Sequence, residues 1–309
     1  MSAPPVLTAV EPAKRRPTSG NQSFFSSLPW IGPALLLILA MVAFPAGYMI
    51  FNSTRKISQV GTDLHSVGLA NFVTVFQDPA LPRILLNTFV WVVSVVGITV
   101  LLSLALAQFL NKPFPGRTIV RMAVIVPWAA SVVMTTTVFY YGLDPNYGIF
   151  NKFLMDVGVL DEGFGWTKSA VPAMFVSVIV AIFVSIPFTT STLLAGLQSI
   201  PQETLEAARV DGAGRWQTYL FVILPQLRSA LAVSVLINII NVFNNLPILK
   251  VMTGSIPGTN ADTLMTYIFK VLQFDRRLDI SSALSVVNFA VVVLIVAIYV
   301  KTVKPMKEV

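Results

Sequence analysis

Six stretches of this 309-residue chain contain no Asp, Glu, Lys, Arg or His. They lie within Pro29–Thr54, Ile84–Asn111, Met122–Leu143, Ser169–Ile200, Ser229–Leu249 and Ile280–Val300. A bilayer's hydrocarbon core is about 30 Å thick, and about 20 helical residues cross it. Each stretch supplies that many. One Lys or Asp at mid-span would cost about 2.5–3.5 kcal/mol, against about 0.3–0.6 kcal/mol gained per Leu or Phe. The expectation is an all-α, polytopic membrane protein with six transmembrane helices.

Composition agrees. Hydrophobic residues make up 55% and charged residues 11%, where a soluble domain carries about 25% charged residues. Cysteine is absent, so disulfides, thiol catalysis and thiolate metal sites are excluded. His65 is the one histidine, which excludes imidazole triads and multi-histidine centres; no metal site is expected. The net charge of +7 is a topological signal rather than a nucleic-acid one. With a cytoplasmic amino terminus and alternating loops, 12 basic residues fall inside: Lys14, Arg15, Arg16, Lys112, Arg117, Arg121, Arg209, Arg215, Arg228, Lys301, Lys304 and Lys307. Nine fall outside. Cytoplasmic loops carry the Lys/Arg excess, so both termini are placed in the cytoplasm.

Residues 1–27, rich in Pro, Ser and Thr, read as a flexible cytoplasmic tail. The apolar run after them is longer than the 7–15-residue core of a secretory signal, so it reads as a retained first span. With no repeat or linker in view, residues 28–303 form one six-helix membrane domain and 304–309 a cytoplasmic tail.

The segment from about 199 to 226, between spans four and five, is the polar exception. Ser199-Ile200-Pro201-Gln202 has the pattern of a helix start, with Pro in the first turn and Gln three residues after Ser. No breaker follows until Asp211-Gly212, a turn signal. Gly214 to Ile223 can form a second short helix ended near Pro225. The result is a helix–turn–helix on the cytoplasmic face, with Ala207 and Ala208 as a small-residue surface for a partner's groove.

Glu206-Ala207-Ala208, three residues, Gly212, nine residues, then Val222, one residue, and Leu224-Pro225 resembles the coupling motif of permease subunits of bacterial ABC importers. Glu-Ala-Ala alone would suit any amphipathic loop helix; Gly and Leu-Pro in register, between apolar spans, make the pattern specific. Val222 stands where Ile is usual. Further stretches resemble the binding-protein-dependent carbohydrate permeases of the maltose, trehalose and glycerol-phosphate type. They are Val67-Gly68-Leu69-Ala70-Asn71-Phe72, Asn87-Thr88, Arg121 with Val126-Pro127-Trp128, Tyr147-Gly148-Ile149-Phe150-Asn151, and Phe243-Asn244-Asn245-Leu246-Pro247. Thr253-Gly254-Ser255-Ile256-Pro257 departs from the commoner Thr-Gly-Gly-Gly-Pro. The resemblance implies a type I ABC importer permease fold in the bacterial plasma (inner) membrane, with a cytoplasmic coupling helix between helices 4 and 5. Glu206, Ala207, Ala208, Gly212, Leu224 and Pro225 would then couple to the ATPase. Implied partners are a second six-helix permease, two copies of a cytoplasmic ABC ATPase, an extracytoplasmic binding protein and a sugar.

Asn238, Asn241 and Asn245 are spaced by three and four residues, which puts them on one face of a helical span five. They suit sugar hydroxyls in a wet path, and equally serve as interhelical glue. Ser185 and Phe188, around Pro187 in span four, are the other path candidates, carried by the resemblance. No Gly-x-x-x-x-Gly-Lys-Ser/Thr occurs, so the chain has no P-loop and no enzymatic activity is expected. It binds no cofactor directly, and a partner uses ATP and Mg. The charge-free spans argue against a proton- or sodium-coupled carrier. Asp161-Glu162 and Asp275 with Asp279 read as solvated loop charges rather than a glycosidase pair. The expected function is the permease of an ATP-driven carbohydrate importer; the alternatives are another small solute, such as glycerol-phosphate or a polyamine, or a stand-alone channel.

Overall fold

The computed structural model describes residues 24–303. The rest, comprising most of the predicted amino-terminal tail and all of the carboxy-terminal one, lies outside the described residues. The chain divides into two compact units, one ending at Tyr48 and one beginning at Met49. α1 (Phe24–Ile38) starts inside the predicted tail and passes through a π-helical turn (Leu39–Ala43) into α2 (Phe44–Ser53), which runs across the boundary at Tyr48.

After α2 the second unit continues with a small antiparallel hairpin, β1 (Arg55–Ile57) and β2 (Asp63–Ser66). Then come α3 (Ala70–Phe76), α4 (Leu81–Asn111), α5 (Arg117–Ala129), α6 (Val132–Gly142) and α7 (Ile149–Asp156). Next follow α8 (Ala170–Gln198), α9 (Gln202–Val210), α10 (Arg215–Gln217), a π-helical segment (Thr218–Ile223), α11 (Leu224–Gln226) and α12 (Arg228–Phe243). The last are α13 (Pro247–Thr253), α14 (Leu264–Gln273) and α15 (Leu278–Val303).

Among the described residues, four helical stretches are long and apolar enough to cross a membrane: Pro29–Ser53, α4, α8 and α15, of 25, 31, 29 and 26 residues. The third and fifth windows are not single helices as expected. Window three breaks between α5 and α6 with a bend of 95°, and α12, which fills most of window five, meets Arg215–Gln226 at 67°. Extended backbone at Ala130 and Ser131 makes the first break. Window five itself breaks farther on, where α12 ends at Phe243 and Pro247 stands in the first turn of α13. Helices also outrun the charge-free windows, taking in Arg83, Arg117, Arg121, Asp279 and Lys301.

α4 and α8 form the central pair, flanked by α12, α5 and α13. Between the hairpin end of the bundle and its middle lies a cluster that includes Ile84, Trp91, Val180, Ile248 and Leu264; at the α9 end lies another with Leu110, Leu193, Leu197 and Leu227. Lipid tails are as apolar as leucine, so close packing and buried hydrogen bonds hold such helices together. Gly196 shows the packing: a Cβ there would stand 2.7 Å from the Ala230 Cβ, so only glycine lets α8 approach α12 this closely.

Buried polar groups fasten the hairpin end. Trp91 Nε1 donates to the Val242 carbonyl (2.9 Å), one of the terminal carbonyls of α12. Thr88 Oγ1 accepts from the Leu264 amide (2.8 Å) at the start of α14, and Asn87 Nδ2 donates to the carbonyls of Asn260 and Asp262. Asp262 is fully buried and pairs with Lys270 at 2.9 Å; burial still pushes its carboxyl above the usual range. Asp279 is not the solvated loop charge expected: it is 1% exposed, in the first turn of α15, and Lys56 Nζ reaches it at 3.1 Å.

Candidate functional site

Two places hold the sequence candidates: the helix–turn–helix of residues 202–226 and a polar layer at mid-bundle. α9 starts from Pro201, in extended conformation, with Glu203 in its first turn and Arg209 in its last, both favourable to the helix dipole. Ser199 does not start it as expected; it closes α8, its Oγ bonding back to the Gly196 carbonyl at 2.8 Å. α9 ends in a Schellman turn. The Gly212 amide donates to the Arg209 carbonyl (3.0 Å) and the Ala213 amide to the Ala208 carbonyl (3.0 Å), with Gly212 at φ +77°. The chain resumes where Gln217 Oε1 accepts from the Gly214 amide at 2.8 Å, and winds through the π-helical segment to Leu224 and Pro225.

The two alanines do not form one small-residue face. Ala208 is buried, on the side of Leu205, which packs into the α9-end cluster; Ala207 is exposed. Adjacent helical residues point about 100° apart, and the outward surface is Glu206, Ala207 and Val210, the last 88% exposed. Leu224 is half-buried, while Gly212 and Pro225 are exposed. Leu205, Ile223 and Leu227 lie against Leu110 of α4 and Leu193 and Leu197 of α8. The segment is thus seated on α4 and α8, and linkers of three residues and one join it to α8 and α12.

Between the two apolar clusters, Thr99 and Ser103 of α4, Thr189 and Thr190 of α8, and Ser234 and Asn238 of α12 are all buried. Asn238 Nδ2 donates to Thr189 Oγ1 (2.8 Å) and to the Ser234 carbonyl (2.8 Å). The three asparagines do not share a helical face. Asn238 is an interhelical tie, Asn241 is exposed, and Asn245 lies beyond the helix, its Oδ1 accepting from the Ile248 amide at 3.1 Å. Ser185 and Phe188 are half-buried, and their carbonyls accept from the hydroxyls of Thr189 and Thr192. Sequence reasoning missed Thr189, which the four-residue spacing from Ser185 points to. It also missed Asn288 of α15, whose Nδ2 donates to Asn244 Oδ1 (3.2 Å). Asn238→Leu is expected to lower the unfolding free energy by about 1 kcal/mol, the scale of an interhelical bond in a membrane, and Asn241→Leu to leave it unchanged; thermal unfolding of the purified protein reads both.

The chain is 33% identical over 277 residues to a probable ABC transporter permease protein of Brucella suis biovar 1, across 89% of this chain and 96% of that one. It is 30% identical to the trehalose transport system permease protein of Mycobacterium tuberculosis, across 88% and 86%. Its fold matches a bacterial ABC transporter involved in import of the acidic polysaccharide alginate, at a TM-score of 0.77 and 22% identity over 92% and 96% of the two chains. Residues 99–305 match the model of the binding-protein-dependent transport system inner membrane component, and the chain belongs to that family.

Proposed function

We propose that this chain is one permease subunit of an ATP-driven carbohydrate importer, with each bent helix pair counting as one span to give six, and both termini in the cytoplasm. The α9 surface carries the reading. Ala207 and Val210, three residues apart, share a face that is exposed, small and apolar, on a helix whose other side is fixed to the bundle. Exposed apolar surface rimmed by charge marks a docking site, here for a cytoplasmic ATPase. Closure of two such ATPases would move α9 as a rigid body. That motion reaches α8 and α12 through the Leu205–Leu227 cluster, and hence the layer containing Thr189 and Asn238.

A second six-helix permease would complete the path, and an extracytoplasmic binding protein would deliver cargo. A carbohydrate cargo rests on the trehalose relative and on the buried hydroxyl and amide groups of the mid-bundle layer, which match sugar hydroxyls and carry no charge. In Val210→Cys, the introduced thiol is expected to cross-link to the ATPase in an ATP-dependent manner. No cross-link, with an ATPase absent from the purified complex, would favour the stand-alone channel. A cognate binding protein that takes a polyamine or phosphate ester in place of sugars would overturn the cargo alone.

A further inference from the structure

On α5, the half-buried positions include Arg117, Val120, Arg121 and Val124, the three-and-four spacing of a face packed against a neighbour. Two arginines on that face need partners. Arg117 has one, its Nε donating to the Leu110 carbonyl at 2.6 Å. Arg121 does not: its Nε and Nη2 are buried and unbonded. It lines a cavity of about 210 Å³ between α4, α5 and α8, with Thr190, Ser191 and Gln198 opposite. Thr190 is 1% exposed and its Oγ1 is also unpartnered.

This site is donor-rich and positively charged, and no carboxylate lines it. Between Lys112 and Leu143 the sequence has no acidic residue at all. A buried guanidinium without counter-charge is strongly disfavoured, most of all inside a membrane protein, and guanidinium forks match phosphate oxygens. Lys112, Arg117 and Arg121 gather at the α4–α5 turn, and clustered basic residues beside a span attract anionic headgroups. Ile119, Met122 and Val126 on the outward side of α5 are exposed apolar surface beside it, as an acyl chain requires.

We propose that the Arg121–Thr190 cavity binds a phosphate-type oxyanion, carried by a phospholipid headgroup or free, which joins α5 to α8. Thr190 also belongs to the mid-bundle layer, so the test reads stability alone and uses neither cargo nor nucleotide. The assembled complex is placed in nanodiscs of phosphatidylcholine, with or without phosphatidylglycerol, and in phosphatidylcholine with inorganic phosphate at constant ionic strength. A ligand of the folded state raises the unfolding midpoint, here by about 3–5 °C at saturation. The rise is expected with phosphatidylglycerol, phosphate or both, and the responding arm identifies the source. It should vanish in Arg121→Gln and persist in part in Arg121→Lys. If Arg121→Gln does not assemble, Thr190→Val decides, since it keeps charge and shape and should shrink the rise. No rise in either arm, or an equal rise in Arg121→Gln, overturns the proposal. So does an unresponsive wild type whose Arg121→Gln variant loses its permease partner, because the counter-charge would then be that subunit's.

Discussion

Gly212→Val is expected to yield an assembled complex that still hydrolyses ATP but imports about tenfold more slowly, or worse. Gly212 holds φ +77° in the turn that closes α9, and that left-handed region costs an L residue about 1–2 kcal/mol, more for a β-branched one. A penalty of that size shifts a turn between two conformations by about tenfold. Space is not the obstacle, since a Cβ at Gly212 would meet nothing within 4 Å. The series can therefore be ordered by backbone preference alone. Asn, which tolerates the left-handed region, should be nearly silent, Ala intermediate and Val worst. Uptake into vesicles and binding-protein-stimulated ATPase activity, measured on the same preparations, separate the steps. Wild-type uptake in an assembled Gly212→Val complex would show that the turn transmits nothing.

The same turn shows how far local sequence reaches. Asp211-Gly212 was legible because glycine's conformational freedom is a one-residue property, and four membrane-length helices were legible because lipid imposes a length and a charge rule on every residue. Ala130–Ser131 was not. The nearest breaker, Pro127, lies inside α5 a turn before it, and the 95° bend falls where α5 packs on α8 and α6 on α13. The Asn-Asn-Leu-Pro break was legible in principle. Extending the helix through it misplaced Asn245 on a face with Asn238, when its side chain serves the start of α13. Asp279 was misread because its counter-charge, Lys56, comes from the opposite end of the sequence. Charges pair in space, and only the fold says which.

Asn151→Ala should cost the fold about 3 kcal/mol or more, the largest single-residue loss expected here. Asn151 is wholly buried and organises the loops on both sides of α7. Its Nδ2 donates to the carbonyls of Leu143 (3.0 Å), Asp144 (3.0 Å) and Phe164 (3.1 Å), while its Oδ1 accepts from the Phe164 amide (3.2 Å) and Trp166 Nε1 (3.0 Å). Alanine removes all five bonds and strands two donors, each costing about 1–3 kcal/mol if it stays dry. Asn151→Asp separates hydrogen bonding from packing. It keeps the shape and the acceptor but faces three carbonyls with a carboxylate, so it should be at least as damaging as Ala at neutral pH. Acid should relieve it, because the protonated carboxyl regains one donor. Trp166 reports directly, since its indole loses its partner: its fluorescence should change in Asn151→Ala at temperatures where wild type is unaltered, and protease should nick residues 157–168 first. An unchanged midpoint with resistant loops would mean that water replaces the amide, and the loop architecture would then rest on the rings of Phe164 and Trp166, packed edge to face at 4.8 Å.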